Sequence, residues 1–330
     1  MNEEYALMKN AKGSYVLGYG PFIEYATQPD VATAFYVNDF SLTDETPWKV
    51  PTRVKRLGSL KSSLSISLKS KWIQPELAPF AQVFSEVNAS LLRNEIQKSV
   101  PVVAESGELT EGNAADLIFS VTPHHLLNAY AWSASGKGFC GLTPEVLFSY
   151  EKGRLRTMAL AGTATLEERD VFAVDEKEIL EHEFVAQMLI SKLSEIGMVQ
   201  PETRGIMELD SLVHFYTPIY VGLYDSTSIE SLIQRLHPTP ALGVLPRTQE
   251  ALENLVEWRE RLHCPAHFGA PMGVYDEGEF HSVVCIRGIH WNEKKLSLPA
   301  GCGVIEASRL TSEWRELQLK RDSVKALFGL

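Results

Sequence analysis

Two pairs of glutamates are spaced to share a helix face: Glu178 with Glu181 in EKEILEHEF, and Glu313 with Glu316 in SEWRELQLK. Residues three apart on an α-helix lie about one turn apart on the same side. Either pair alone is more often a solvated acidic face. Phe184 and Val185 flank the first pair, however, and Trp314 sits inside the second, and such apolar neighbours favour burial. If the two helices meet, their carboxylates make an oxygen-ligand site suited to a hard cation that keeps several waters, which is Mg²⁺. Lys320 follows Glu316 by four residues, so the same face carries a cation. A second signal is a set of Gly/Pro-rich turns: GLTPE (141–145), LAGT (160–163), HPTPALGVLPR (237–247) and AGCG (300–303). Glycine lets backbone approach a ligand closely, and freed N–H groups can grip carboxylates. One such turn is weak evidence by itself.

The elements that must position these groups are read from periodicity. Residues 1–75 suggest short strands and turns (YVLGYGPFIEYA, TAFYVNDF) and a Ser/Lys-rich stretch, LGSLKSSLSISLKSKW. Phe80, Val83, Phe84, Val87, Leu91 and Leu92 predict a one-sided helix over Pro79–Gln97. DLIFSVTP, LLNAYAWSA, GFCGLTPEVLFSYE and RLRTMALAGTA each read as a strand. A long helix is expected from Asp175 to Gly197, with an apolar stripe of Ile179, Leu180, Val185, Met188, Leu189 and Ile196. Then come a strand (VHFYTPIYVGL), two helices (SIESLIQRLH and TQEALENLVEWRERL) and three strands (GAPMGVYDEGEF, HSVVCIRGIHW and KLSLPAGCGVI). A closing helix runs from about Thr311 to Leu327. Strands in hairpin order among long helices indicate α+β in one domain spanning 1–330, with no composition shift to divide it.

Composition narrows the partners. The 330 residues are 45% hydrophobic and 22% charged, an ordinary globular balance. A formal net charge of −11 argues against nucleic acid or an anionic membrane. The start MNEEYALMKN lacks a basic then apolar leader, and no apolar run reaches the ~18 residues of a membrane span. A cytoplasmic protein acting on a small molecule is therefore expected. Cys140, Cys264, Cys285 and Cys302 are scattered without a CxxC, which favours buried thiols over zinc or disulfides. A monomer is expected, because no spare apolar helix is evident for an interface.

Taken in order, GLTPEVLF, LAGT, EHEFV, HF-x-TP, LHPTPALG, CIRG, AGCGVIEAS and EWRELQLK resemble the chorismate-binding enzymes. That family includes isochorismate, anthranilate, aminodeoxychorismate and salicylate synthases. The resemblance covers about residues 90–330; residues 1–90 look like a shortened form of the family's divergent N-terminal part. It implies antiparallel sheets packed as a sandwich with flanking helices. HPTPAL looks like the isochorismate synthase branch, which feeds menaquinone and catechol siderophore formation. Aligning NEIQKSVPVV places Lys98 as the base that activates water, with Gln97 one register away. Glu145 matches the general acid that protonates the leaving hydroxyl. Glu181 and Glu316 match ligands of Mg²⁺, with Glu178 and Glu313 supporting them through water. Arg287 and Lys320 match the cations that hold substrate carboxylates, aided by backbone at Gly162, Thr163 and Gly301. His214 matches a histidine near the reacting hydroxyls, and Ala241 and Leu242 of HPTPAL join the substrate-binding set.

Three positions depart from the family pattern. His281 stands six before Arg287, where a glutamate is usual, with Glu279 displaced by two. LAGT continues into ATLEERD rather than basic residues, and Pro101 interrupts a strand that is ordinarily continuous. The alternatives are another chorismate chemistry, giving salicylate or adding ammonia, and an inactive homologue that binds an aromatic acid or a partner subunit.

Overall fold

Alternation along the strands builds two large sheets. In Arg154–Thr165, Leu155, Thr157 and Ala159 are buried and Arg154 and Arg156 are exposed, the period-two pattern of a strand with one covered face. The computed structural model describes residues 4–60, 68–209 and 212–330. Part of the Ser/Lys-rich stretch, residues 61–67, lies outside the described residues.

One nine-stranded sheet runs in the order Arg53–Leu57, Tyr15–Tyr19, Tyr5–Lys9, Asn128–Ala134, Lys137–Thr143, Gly288–Asn292, Lys295–Gly301, Val102–Glu111 and Lys69–Ile73. The ten-stranded second sheet runs Gly197–Pro201, Leu212–Leu223, Arg154–Thr165, Val146–Glu151, Glu279–Val284, Pro271–Asp276, Thr33–Val37, Trp48–Val50 and Ile23–Tyr25, with Gly205–Leu209 also on Leu212–Leu223. Every pairing between these strands is antiparallel.

Met8, Val16, Tyr130 and Phe139 of the first sheet meet Phe35, Met272, Val274 and Val283 of the second in a buried layer between them. Each large apolar side chain buried this way contributes roughly 1.5–3 kcal/mol. Five longer helices cover the rest: α1 (Leu77–Leu92), α2 (Glu176–Ser194), α3 (Ile229–Leu236), α4 (Gln249–Arg261) and α5 (Leu310–Phe328). Helices α2 and α3 pack Val185, Leu189 and Leu232 on the outer face of the second sheet. The end of α5 packs Val324 and Phe328 on the first, so the expected sandwich with flanking helices is what forms.

Four expectations change. DLIFSVTP is not a strand: Ala114–Ser120 is a tight helical turn whose start is capped by the Asn113 side chain accepting from the Ala115 N–H. Ala114, Leu117 and Ile118 are buried, so the spacing is three and four rather than two. Helix α1 ends at Leu92 rather than Gln97, because Asn94 adopts a left-handed φ of 56°, which stops a helix.

GFCGLTPEVLFSYE is two strands in different sheets. Lys137–Thr143 belongs to the first and Val146–Glu151 to the second, with the chain crossing at Pro144–Glu145. HSVVCIRGIHW divides in the same way, leaving the second sheet at Val284 and entering the first at Gly288. The two crossings run side by side, held by the Val284 N–H to Glu145 O (3.1 Å) and the Leu142 N–H to Arg287 O (3.1 Å). Pro101 interrupts the pairing as expected: it stands in the gap between the Ser99–Val304 bridge and the strand Val102–Glu111.

Candidate active site

The crossings open a cleft where the sheets part. Together with its open mouth it encloses about 630 Å³. Glu145, Gly162, Thr163, Glu181, His214, Ala241, Leu242, Arg287, Gly301 and Lys320 all line it.

Glu145 is buried, and Thr239 of HPTPAL donates to its Oε1 at 2.9 Å. Burial pushes its pKa up to about 7, although the Thr239 bond and the positive charges of Lys98 and Lys320 act the other way. A carboxyl in this state can donate a proton near neutrality.

Arg287 occupies the other crossing with φ 55°, unusual for a side-chain-bearing residue. Its Nη1 donates to Ser323 Oγ (3.1 Å) and its Nη2 to His214 Nε2 (3.1 Å). His214 Nδ1 lies 2.8 Å from Gly162 O, so the ring is neutral with its proton on Nδ1. Burial and then the Arg287 charge lower its pKa to about 3, in keeping with that tautomer. Histidine and arginine thus fix each other over the cleft. Lys320 Nζ donates to Gly301 O (2.9 Å) and pairs with Glu316 (2.5 Å). The Thr163 N–H is spent on Glu178 Oε2 (2.9 Å), so it is not free to hold a substrate anion as the resemblance implied.

Behind the cleft the two acidic helices do meet. Asp175 caps α2 by accepting from the Glu178 N–H (3.0 Å). The inward face of α2 then carries Glu181 and His182 ahead of Val185 and Leu189, whereas Leu180 of the expected stripe is 45% exposed. Glu313 on α5 is buried, with one carboxylate oxygen lacking any partner. Glu178, Glu313 and Glu316 line a second cleft, whereas Glu181 lines the first.

Lys98 comes from the extended stretch after α1. There the chain bridges Leu245 and Val304 and turns Lys98 fully inward while Gln97 stays exposed. Its Nζ lies 3.0 Å from Glu181 Oε1. Burial raises the Glu181 pKa, but Lys98, Lys177 and Lys320 outweigh it and hold that carboxylate ionised. Burial and neighbouring like charges push Glu178 and Glu313 upward.

Two contributors were missed in the sequence. Lys177 reaches Glu178, Glu181 and Glu313, and its place four residues before Glu181 was the available sign. Gly303 is packed so closely that a Cβ there would stand 2.0 Å from Glu181 Oε1. Of the departures, His281 is buried in the second sheet beside Ser149 and does not line the cleft.

Carboxylates are the donor type that Mg²⁺ takes, and Glu178, Glu181 and Glu313 stand around one position that Lys177 fills, with Glu316 on Lys320; as the structure stands, no group of three or more His, Cys, Asp or Glu side chains among the described residues is set to hold a metal ion. Cys140, Cys285 and Cys302 are buried free thiols, and Cys264 is partly buried. Among the described residues no helix is long and apolar enough to cross a membrane.

A protein-family model described as "Chorismate binding enzyme" matches residues 79–328. Isochorismate synthase MenF of Bacillus subtilis is 34% identical over 216 residues, 61% of this chain and 44% of that protein. Isochorismate synthase EntC of Escherichia coli is 27% identical over 308 residues, 86% of this chain and 76% of that one. The chain thus spans under half the length of the Bacillus subtilis relative. A solved structure described as a 2,3-dihydroxybenzoate-specific isochorismate synthase, DhbC from Bacillus anthracis, has a TM-score of 0.81 at 18% identity, covering 99% of this chain and 96% of that one. The menaquinone-specific isochorismate synthase MenF from Escherichia coli follows with a TM-score of 0.76 at 16% identity, covering 98% and 88%. These structural likenesses extend the shared fold to the N-terminal strands that the family model leaves out. The chain belongs to the chorismate-binding enzyme family.

Proposed function

We propose that this chain is a magnesium-dependent isochorismate synthase. The observation that carries the reading is a buried carboxyl, Glu145, with its pKa raised to about 7, facing a cleft that also holds Arg287, His214 and Lys320. In the reaction a water adds to one ring carbon while the hydroxyl on a neighbouring carbon leaves, so the product is an isomer of chorismate. Glu145 gives its proton to the departing hydroxyl, which leaves as water. Lys98, in its neutral form rather than as the ammonium that pairs with Glu181 at 3.0 Å, takes the proton of the incoming water, so charge balances across the two groups. Arg287, held by Ser323 and His214, presents a guanidinium to a substrate carboxylate with its plane already set. Mg²⁺, held by Glu181 and Glu316 with Glu178 and Glu313 beside them, would supply charge to bind and polarise the ring carboxylate.

The isochorismate synthases among the relatives support this choice over the other chorismate chemistries. The product would enter menaquinone or catechol siderophore formation, and the pathway follows from the genes adjacent to its own. The deciding experiment incubates the protein with chorismate and Mg²⁺, with and without ammonium, and separates the products by chromatography. Isochorismate in both arms is expected. Salicylate, or an aminated product in the ammonium arm, would replace the assignment, and no turnover would leave an inactive homologue.

A further inference from the structure

Lys177 stands at the point where the carboxylates of α2 and α5 converge. Its Nζ lies 2.9 Å from Glu178 Oε1, 3.3 Å from Glu181 Oε2 and 3.4 Å from Glu313 Oε1. These are three of the four groups assigned above to the metal. An ammonium and a divalent ion cannot use the same oxygens at once. We propose that Lys177 is the tethered counter-ion of this cluster, filling the cation position in the metal-free protein and leaving it when Mg²⁺ binds. The inference rests on the magnesium site of the proposed function.

Three features argue for exchange rather than permanent residence. The first is mobility. Lys98 also touches Glu181, but its side chain is completely buried and has no exit. Lys177 is 19% exposed and lines the second cleft, so rotation about its side-chain bonds carries the ammonium into solvent. One cation of the cluster is therefore fixed and the other can move.

The second is charge. In direct contact, the four carboxylates Glu178, Glu181, Glu313 and Glu316 face three ammonium groups, Lys98, Lys177 and Lys320. By formal charge the carboxylates of the cluster exceed its ammonium groups by one. Exchanging Lys177 for a divalent ion cancels the difference, whereas adding the ion beside Lys177 would leave an excess positive charge in a largely buried place, which is costly. The third is the Glu313 oxygen without a partner, which an ammonium with three protons leaves unmet and an ion of higher coordination number can take.

The consequence is that Lys177 competes with the metal, holding the two helices together in its absence and weakening its affinity. The test is Mg²⁺ titration of the whole, substrate-free protein by calorimetry, with thermal unfolding followed in parallel. Lys177→Met should bind Mg²⁺ roughly tenfold or more tighter than the wild type, and its melting temperature should rise further on saturation. Lys177→Arg keeps a competing cation and should bind near wild-type strength, which supplies a folded control if the methionine variant unfolds without metal. Equal or weaker Mg²⁺ binding by a folded Lys177→Met would overturn the exchange while leaving the magnesium site standing. Absence of Mg²⁺ binding by the wild type would instead remove the site itself.

Discussion

Replacing Glu145 with glutamine should push activity and stability in opposite directions. The amide has nearly the shape of the carboxyl, and its oxygen can still accept the 2.9 Å bond from Thr239. What disappears is the ionisable proton. In the folded protein the Glu145 pKa is about 7 against an ordinary 4.5, and the side chain is buried. A folded-state pKa raised in this way means that the native protein binds the proton more tightly than the unfolded chain. The stabilising contribution is complete below pH 4.5 and is lost as the pH climbs to about 7. The difference between the two values corresponds to about 3 kcal/mol. Above neutrality the wild type carries that penalty in full, and the glutamine variant does not. Urea unfolding at pH 8.5 should therefore find Glu145→Gln the more stable protein by up to about 3 kcal/mol, with the advantage shrinking below pH 7 and gone near pH 4.5. Turnover should fall by roughly 10²- to 10⁴-fold, the usual worth of a positioned acid, while KM changes little. The wild-type kcat should likewise decline as pH rises through 7. Parallel stability curves for the two proteins across this range would refute the buried-acid assignment, as would a variant with undiminished turnover.

The remaining predictions concern the other walls of the site. Gly303→Ala places a methyl 2.0 Å from Glu181 Oε1 and 3.0 Å from Lys98 Cε, so it should cost roughly 10²-fold or more in kcat/KM and weaken Mg²⁺ binding in a calorimetric titration. Gly301→Ala meets nothing closer than Val100 Cγ1 at 3.1 Å and should be markedly milder in the same assays. Arg287→Lys loses the planar fork that bonds both Ser323 and His214, and steady-state kinetics should show KM for chorismate raised roughly tenfold or more. Lys98→Gln removes the group proposed to accept the proton of water and should abolish isochorismate formation, with circular dichroism confirming that the fold is retained.

The helices were legible because amphipathic spacing and caps are local. Asp175 and Glu178, Ser228 and Ser231, and Thr248 and Ala251 each mark a helix start that the structure keeps. The change of sheet inside GFCGLTPEVLFSYE and HSVVCIRGIHW was not legible. Apolar residues continue through both crossings, since each strand is buried in whichever sheet it joins, so periodicity shows no break. Pro144 was the one local sign, and it reads equally well as an edge residue. The carboxylate pairs were visible by spacing, but that α2 and α5 meet depends on sheet packing between residues far apart in the chain. Lys177 escaped notice because a lysine four residues from a glutamate is ordinarily a surface pair. Here the pair is turned inward, which only the burial of Glu181 reveals.

The paired crossings also dictate how the protein can fail. Lys137 is matched to Asn292 and Val146 to Val283, so the acid and the arginine come together only after strands separated by well over a hundred residues have joined both sheets. Closing such distant pairings precedes any gain from them, which places the cleft among the last features to assemble. No fragment containing one crossing can hold half a site, and a partly unfolded chain has none. Heat inactivation and loss of tertiary structure should therefore coincide, and a ligand in the cleft stabilises the whole molecule rather than one lobe of it.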